Sequence, residues 1–84
     1  MTTVEEIRTR LDVVKALARD LRPLSYPARL DLHKALWRWQ AALPRVPAYD
    51  FALAHAAAKV GDTMHLSLLL EGLAREADSG AQLR

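Results

Sequence analysis

Ala28-Arg-Leu-Asp-Leu-His-Lys-Ala-Leu-Trp-Arg-Trp-Gln-Ala-Ala-Leu43 decides the fold. Each residue of an α-helix turns by about 100°. On that wheel Leu32, Leu36, Trp39 and Leu43 fall within about 60° of one another, flanked by Ala28, Ala35 and Ala42. The spacing predicts a helix from Pro27 to Leu43 with this stripe as its core face. Trp37 and Trp39 stand two positions apart, so they point roughly 200° apart. Trp39 belongs to the core face. Trp37 shares the opposite face with Leu30 and Ala41, bordered by His33 and Lys34.

The punctuation around this segment places the other helices. Ser25-Tyr26-Pro27 opens it, because Ser25 can cap and proline costs nothing in a first turn. Pro44-Arg-Val-Pro47 closes it with a short rigid linker. Upstream, Thr3 and Glu6 have the spacing of a capping box. Val4, Ile7, Leu11, Val14, Ala18 and Leu21 then recur every three or four residues, which predicts a helix over Val4 to Leu21 that ends at Arg22-Pro23. Downstream, Tyr49 to Val60 reads as a third helix with small side chains and with Gly61 as its left-handed cap. Asp62 or Thr63 caps a fourth, which runs to about Ala77 with Leu66, Leu69, Leu70, Leu73 and Ala77 inward. No segment alternates with period two. The expectation is an all-α fold of about four helices, packed as two αα-hairpins or an antiparallel bundle over residues 1–78, with a flexible tail at 79–84.

Composition removes several classes of function. At 84 residues the chain is one domain, near the small end of what folds alone. It has no cysteine, which excludes disulfides, thiolate nucleophiles and cysteine metal sites. No apolar run approaches the roughly 20 residues of a membrane span, and the first residues lack the pattern of a signal peptide, so a soluble cytoplasmic protein is expected. Gly-x-Ser-x-Gly, the phosphate loop and G-x-G-x-x-G are all missing. His33 and His55 have no carboxylate or histidine three or four residues away. Asp62, three residues before His65, reads as a cap. These patterns predict neither a metal site, nor a cofactor, nor catalysis.

Two fragments resemble parts of the helix-turn-helix of repressors. Ala56-Ala-Ala-Lys-Val-Gly61 is similar to the end of a first helix and its turn. Leu36-Trp-Arg-Trp-Gln40 is similar to the end of a recognition helix. They imply incompatible placements of one motif, and no family is assigned from them.

The charges are unevenly spread. Residues 1–45 carry nine cations against five acids, whereas residues 46–84 carry three against five. Arg8, Lys15, Arg19 and Arg22 fall within about 60° on the first helix. Such a stripe can contact phosphates, with Asp12 among them as an ion-pairing partner. A nucleic-acid-binding module or transcriptional regulator is therefore one expectation. The stronger one follows from the second apolar face of the second helix, which the fourth helix repeats with Met64 and Leu68. A bundle helix with two apolar faces is either central or covered by another chain. The expected contact set is Leu30, Trp37, Ala41, Met64 and Leu68, with Lys34 and Arg38 at the rim. It would serve a homodimer, an adaptor, or a regulatory or inhibitory subunit.

Overall fold

A computed structural model describes residues 2–82. Four helices follow in order: α1 (Thr3–Arg19), α2 (Tyr26–Ala42), α3 (Ala48–Val60) and α4 (Thr63–Gln82). No strand occurs among the described residues. The capping box of α1 sits one residue earlier than the spacing suggests. Thr2 is the cap: its hydroxyl accepts the Glu5 backbone N–H, while the Glu5 carboxylate accepts the Thr2 N–H, both at 3.1 Å. Those bonds, the backbone one first, hold the Glu5 carboxyl below its ordinary value. Capping at Thr2 admits one more residue to the helix and keeps both Glu5 and Glu6 in the first turn, at the positive end of its dipole. Ser25 caps α2 by accepting the Ala28 N–H, and Asp62 caps α4 by accepting that of His65.

α1 and α3 end in the same way. The N–H of Arg22 reaches the Leu17 carbonyl and that of Leu21 reaches Ala18; the N–H of Asp62 reaches Ala57 and that of Gly61 reaches Ala58. Both are Schellman closures, which need a left-handed residue just past the helix. Gly61 supplies it at φ +73°, and Leu21 supplies it at φ +54°. Leu21 therefore leaves the inward stripe expected of it and stands 81% exposed.

Ion pairs and hydrogen bonds fix the helix directions. Arg8 pairs with Asp78 at 3.1 Å and Lys15 with Glu71 at 3.8 Å, so α1 and α4 run antiparallel. The Arg29 side chain donates to the Lys59 carbonyl, and His33 meets His55, so α2 and α3 run antiparallel. α3 packs on α4 as well as on α2. α1 and α2 are held mainly by side chains: Arg10 pairs with Asp31 and Arg38 with Glu6, and the Arg10 guanidinium lies 5.9 Å from the Trp39 ring centroid. The result is an antiparallel four-helix bundle whose α1–α2 seam is the open one.

The core runs through all four helices. Ile7, Leu36, Trp39, Phe51, Leu66, Leu70 and Leu73 are the largest fully buried side chains. Ala54 and Ala58 let α3 approach closely, as the small-sided sequence implies. Leu24 and Val46, both in connections between helices, are buried too and plug opposite ends of the bundle. At the Leu24 end, Thr63 donates to the Arg22 carbonyl at 2.7 Å, and Leu24 N–H donates to the Gly61 carbonyl at 3.2 Å. α4 continues to Gln82, beyond Ala77, so the expected tail at 79–84 overlaps its last turn; residues 83 and 84 lie outside the described residues.

Candidate interaction face

The α2–α3 seam brings together three rings that no local spacing connects. His33 Nδ1 lies 2.8 Å from His55 Nδ1, with ring centroids 5.0 Å apart and planes within 5°. An imidazole nitrogen lies little more than one ångström from its ring centre. Two rings meeting nitrogen to nitrogen at 2.8 Å can reach a centroid separation of 5.0 Å only when all four points are nearly collinear. The rings therefore lie edge to edge in a shared plane, and one Nδ1–H points straight along the other's lone pair. His55 Nε2 is buried with no hydrogen-bond partner among the described residues. An N–H there would be an orphaned donor, so we assign the proton to His55 Nδ1, donating to His33 Nδ1.

Such a pair holds a proton and has no room for a metal ion. Two imidazole–zinc bonds of about 2.0–2.1 Å at a tetrahedral angle set the nitrogens more than 3 Å apart. No cluster of three or more potential ligands occurs among the described residues either. Burial pushes His55 below its ordinary 6.5, and the facing His33 adds to the shift. The charged side chains along this seam, Arg29 and Lys59, are both cationic, Lys34 stands farther out on the exposed face of α2, and neither ring has a carboxylate partner among the described residues.

Trp37 lies over His55, with ring centroids 4.7 Å apart and a 38° tilt. It remains 63% exposed, whereas Trp39 is 1% exposed. The two tryptophans thus divide as the helical wheel separates them. The rest of the expected contact set is not one patch. Leu30, Lys34, Trp37 and Ala41 share the outward face of α2 and are exposed. Met64 and Leu68 are exposed on α4, with α3 between the two helices. Arg38 turns toward α1 and pairs with Glu6, so it is not part of the rim around Trp37.

The residues that join these fragments come from α3. Tyr49 is 70% exposed, Val60 69% and Leu53 36%. On the wheel these three lie within about 40° of one another, opposite Phe51 and Ala58. Their signal was present in the sequence. Apart from Asp50, His55 and Lys59, every residue of α3 is apolar. A helix apolar on all sides in so small a bundle has surface left to cover.

The basic stripe on α1 divides differently. Arg8 and Lys15 engage acids of α4 rather than Asp12, while Arg19 and Arg22 are exposed and have no ion-pair partner among the described residues. With Ala56–Gly61 as the end of a first helix and its turn, the reading helix would be the start of α4, where Leu66 and Leu70 are fully buried. A cleft of about 400 Å³ opens where the α2–α3 connection meets α1 and α4, lined by Val4, Leu43, Val46 and Ala77 with Arg45 and Glu76. No helix among the described residues is long and apolar enough to cross a membrane.

No family of proteins, no curated protein and no solved structure matches the chain.

Proposed function

We propose that this is a small, non-catalytic interaction module, acting in the cytoplasm as an adaptor, a regulatory or inhibitory subunit, or a homodimer. It engages another protein through the outward faces of α2 and α3. One observation carries the reading: Trp37 stays 63% exposed although Trp39 on the same helix is 1% exposed, and Leu30, Tyr49, Leu53 and Val60 are exposed on the same two helices. Large apolar side chains gathered on one side of a small domain are characteristic of contact surfaces, and tryptophan is a preferred hot-spot residue.

The test measures association, whether with a second copy or with a partner. Trp37→Ala should weaken it by more than about 1 kcal/mol, or roughly fivefold or more in affinity, with helicity retained. Light scattering over a concentration series separates self-association from binding of a different protein. An association that is unchanged by Trp37→Ala and by Leu53→Ala would count against this face. Nucleic-acid binding is the less favoured reading, because two of its four cations already serve α4. A salt-insensitive lack of binding to DNA and RNA would remove it.

A further inference from the structure

If the α2–α3 face binds protein, as proposed above, its shape and charges specify which kind. The face has two ridges. Leu30 and Trp37 form one on α2, and Tyr49, Leu53 and Val60 form the other on α3. Between them on the wheel lie Ala52 and Ala56, exposed and small, with the His33–His55 pair deeper in the seam. The ridges thus flank a shallow valley along α3. From Tyr49 to Val60 it spans about 17 Å at 1.5 Å per residue, or three helical turns. Apolar ridges about a small-residue floor suit the apolar stripe of a single amphipathic helix.

The charges set the sign of the partner. Arg29, Lys34 and Lys59 lie on the α2 and α3 sides of this face, and among the described residues no carboxylate does. Asp31 turns to Arg10 of α1, and Asp50 lines a cleft against α4 with Leu68, Leu69 and Gly72. Lys34 and Lys59 are exposed and have no ion pair among the described residues. A second copy docked symmetrically would set these cations against themselves. We infer that the α2–α3 valley is a docking site for an acidic amphipathic helix of about three to four turns. Its apolar stripe would lie between Trp37 and Leu53, and its carboxylates would reach Lys34 and Lys59.

Two synthetic amphipathic helices of about 18 residues test this. They share a leucine stripe, and their flanking positions carry glutamate in one and lysine in the other. Titration of the fluorescently labelled peptides into the full chain should show the glutamate peptide binding at least tenfold tighter than the lysine peptide. Its affinity should fall severalfold between about 50 and about 200 mM salt. The double variant Lys34→Glu/Lys59→Glu should reverse the preference, and Trp37→Ala should weaken both peptides. Circular dichroism confirms that each variant is folded. Equal binding of the two peptides, or a preference that survives the charge reversal, overturns the assignment. So does binding to phosphatidylserine vesicles, lost with Trp37→Ala, in the absence of any peptide preference. Self-association that depends on Trp37, with neither peptide bound, also overturns the acidic-helix partner but leaves the interaction reading standing. Indifference of every association to Trp37→Ala removes both.

Discussion

Replacing each tryptophan in turn gives the clearest test of how the molecule uses them. Full removal of a buried tryptophan side chain costs about 3–5 kcal/mol. Trp39 is 1% exposed and touches the core, so Trp39→Ala should fall in that range. Trp37 is 63% exposed, which leaves a little over a third of its surface to lose. Scaling by that fraction gives about 1–2 kcal/mol, a sum that already includes the contact with His55, since aromatic pairs contribute about 0.5–1.5 kcal/mol. A domain of this length is stable by only about 4–13 kcal/mol in total. Trp39→Ala can therefore unfold much of the population, and Trp39→Phe serves as the milder companion. Urea denaturation followed by far-ultraviolet circular dichroism measures all three. The expected ordering is a loss for Trp37→Ala at least about 2 kcal/mol smaller than for Trp39→Ala, with the denaturant slope unchanged. In thermal melts the same gap is roughly 8 °C or more. Equal losses at the two positions would refute the division, since Trp37 would then be as deeply packed as Trp39.

Four further outcomes are expected. A depressed histidine pKa means that the unfolded chain takes up its proton first, so the contribution of His55 is present above about pH 6.5 and is lost as pH falls below it. His55→Phe keeps a ring beneath Trp37, and its stability should fall less steeply than the parent's between pH 7 and pH 5; identical slopes would contradict the assigned pair. In nitrogen-15 spectra at pH 7.5, His55 should carry its proton on Nδ1, and an Nε2–H tautomer would refute that assignment. Leu21→Gly should raise stability by about 0.5–1 kcal/mol, because a left-handed leucine costs about 1–2 kcal/mol against about 0.5–1 for the freedom glycine brings to the unfolded chain; a lower melting temperature would count against this. A Cβ built on Gly72 meets nothing within 4 Å, so Gly72→Ala should stabilise α4 by up to about 1 kcal/mol, checked in the same melts.

The helices were legible because their signals are local. Ser25 before Pro27, Gly61 after Val60 and the three-to-four spacing of Leu66, Leu70 and Leu73 each act within a turn or two of chain. Leu21 was misread for a related reason. Its spacing continues the stripe of α1, but the stripe says nothing of where the backbone turns left-handed, and the Schellman closure takes Leu21 out of the core. Leu24 and Val46 belong to no helical period, and only the closing of the bundle's ends buries them.

The candidate site lay beyond that reach. Trp37 could be separated from Trp39 on one wheel, since both belong to one helix. His33 and His55 could not be joined, since their meeting depends on how far α3 slides along α2. One turn of slippage would carry His55 about 5.4 Å along the axis and leave both rings without partners. Two bonds fix the slide: Arg29 to the Lys59 carbonyl, and His33 to His55, each joining residues whose numbers add to the same total. Antiparallel helices in one register have that property, so the two contacts report a single alignment. The alignment that pairs the histidines also sets Trp37 over His55 and leaves its outer face bare. Burying the tryptophan against α3 would require breaking the Arg29 cap on the end of α3 as well as the histidine bond. Its exposure is therefore a consequence of the register, and a partner that covers Trp37 can do so without moving the bundle.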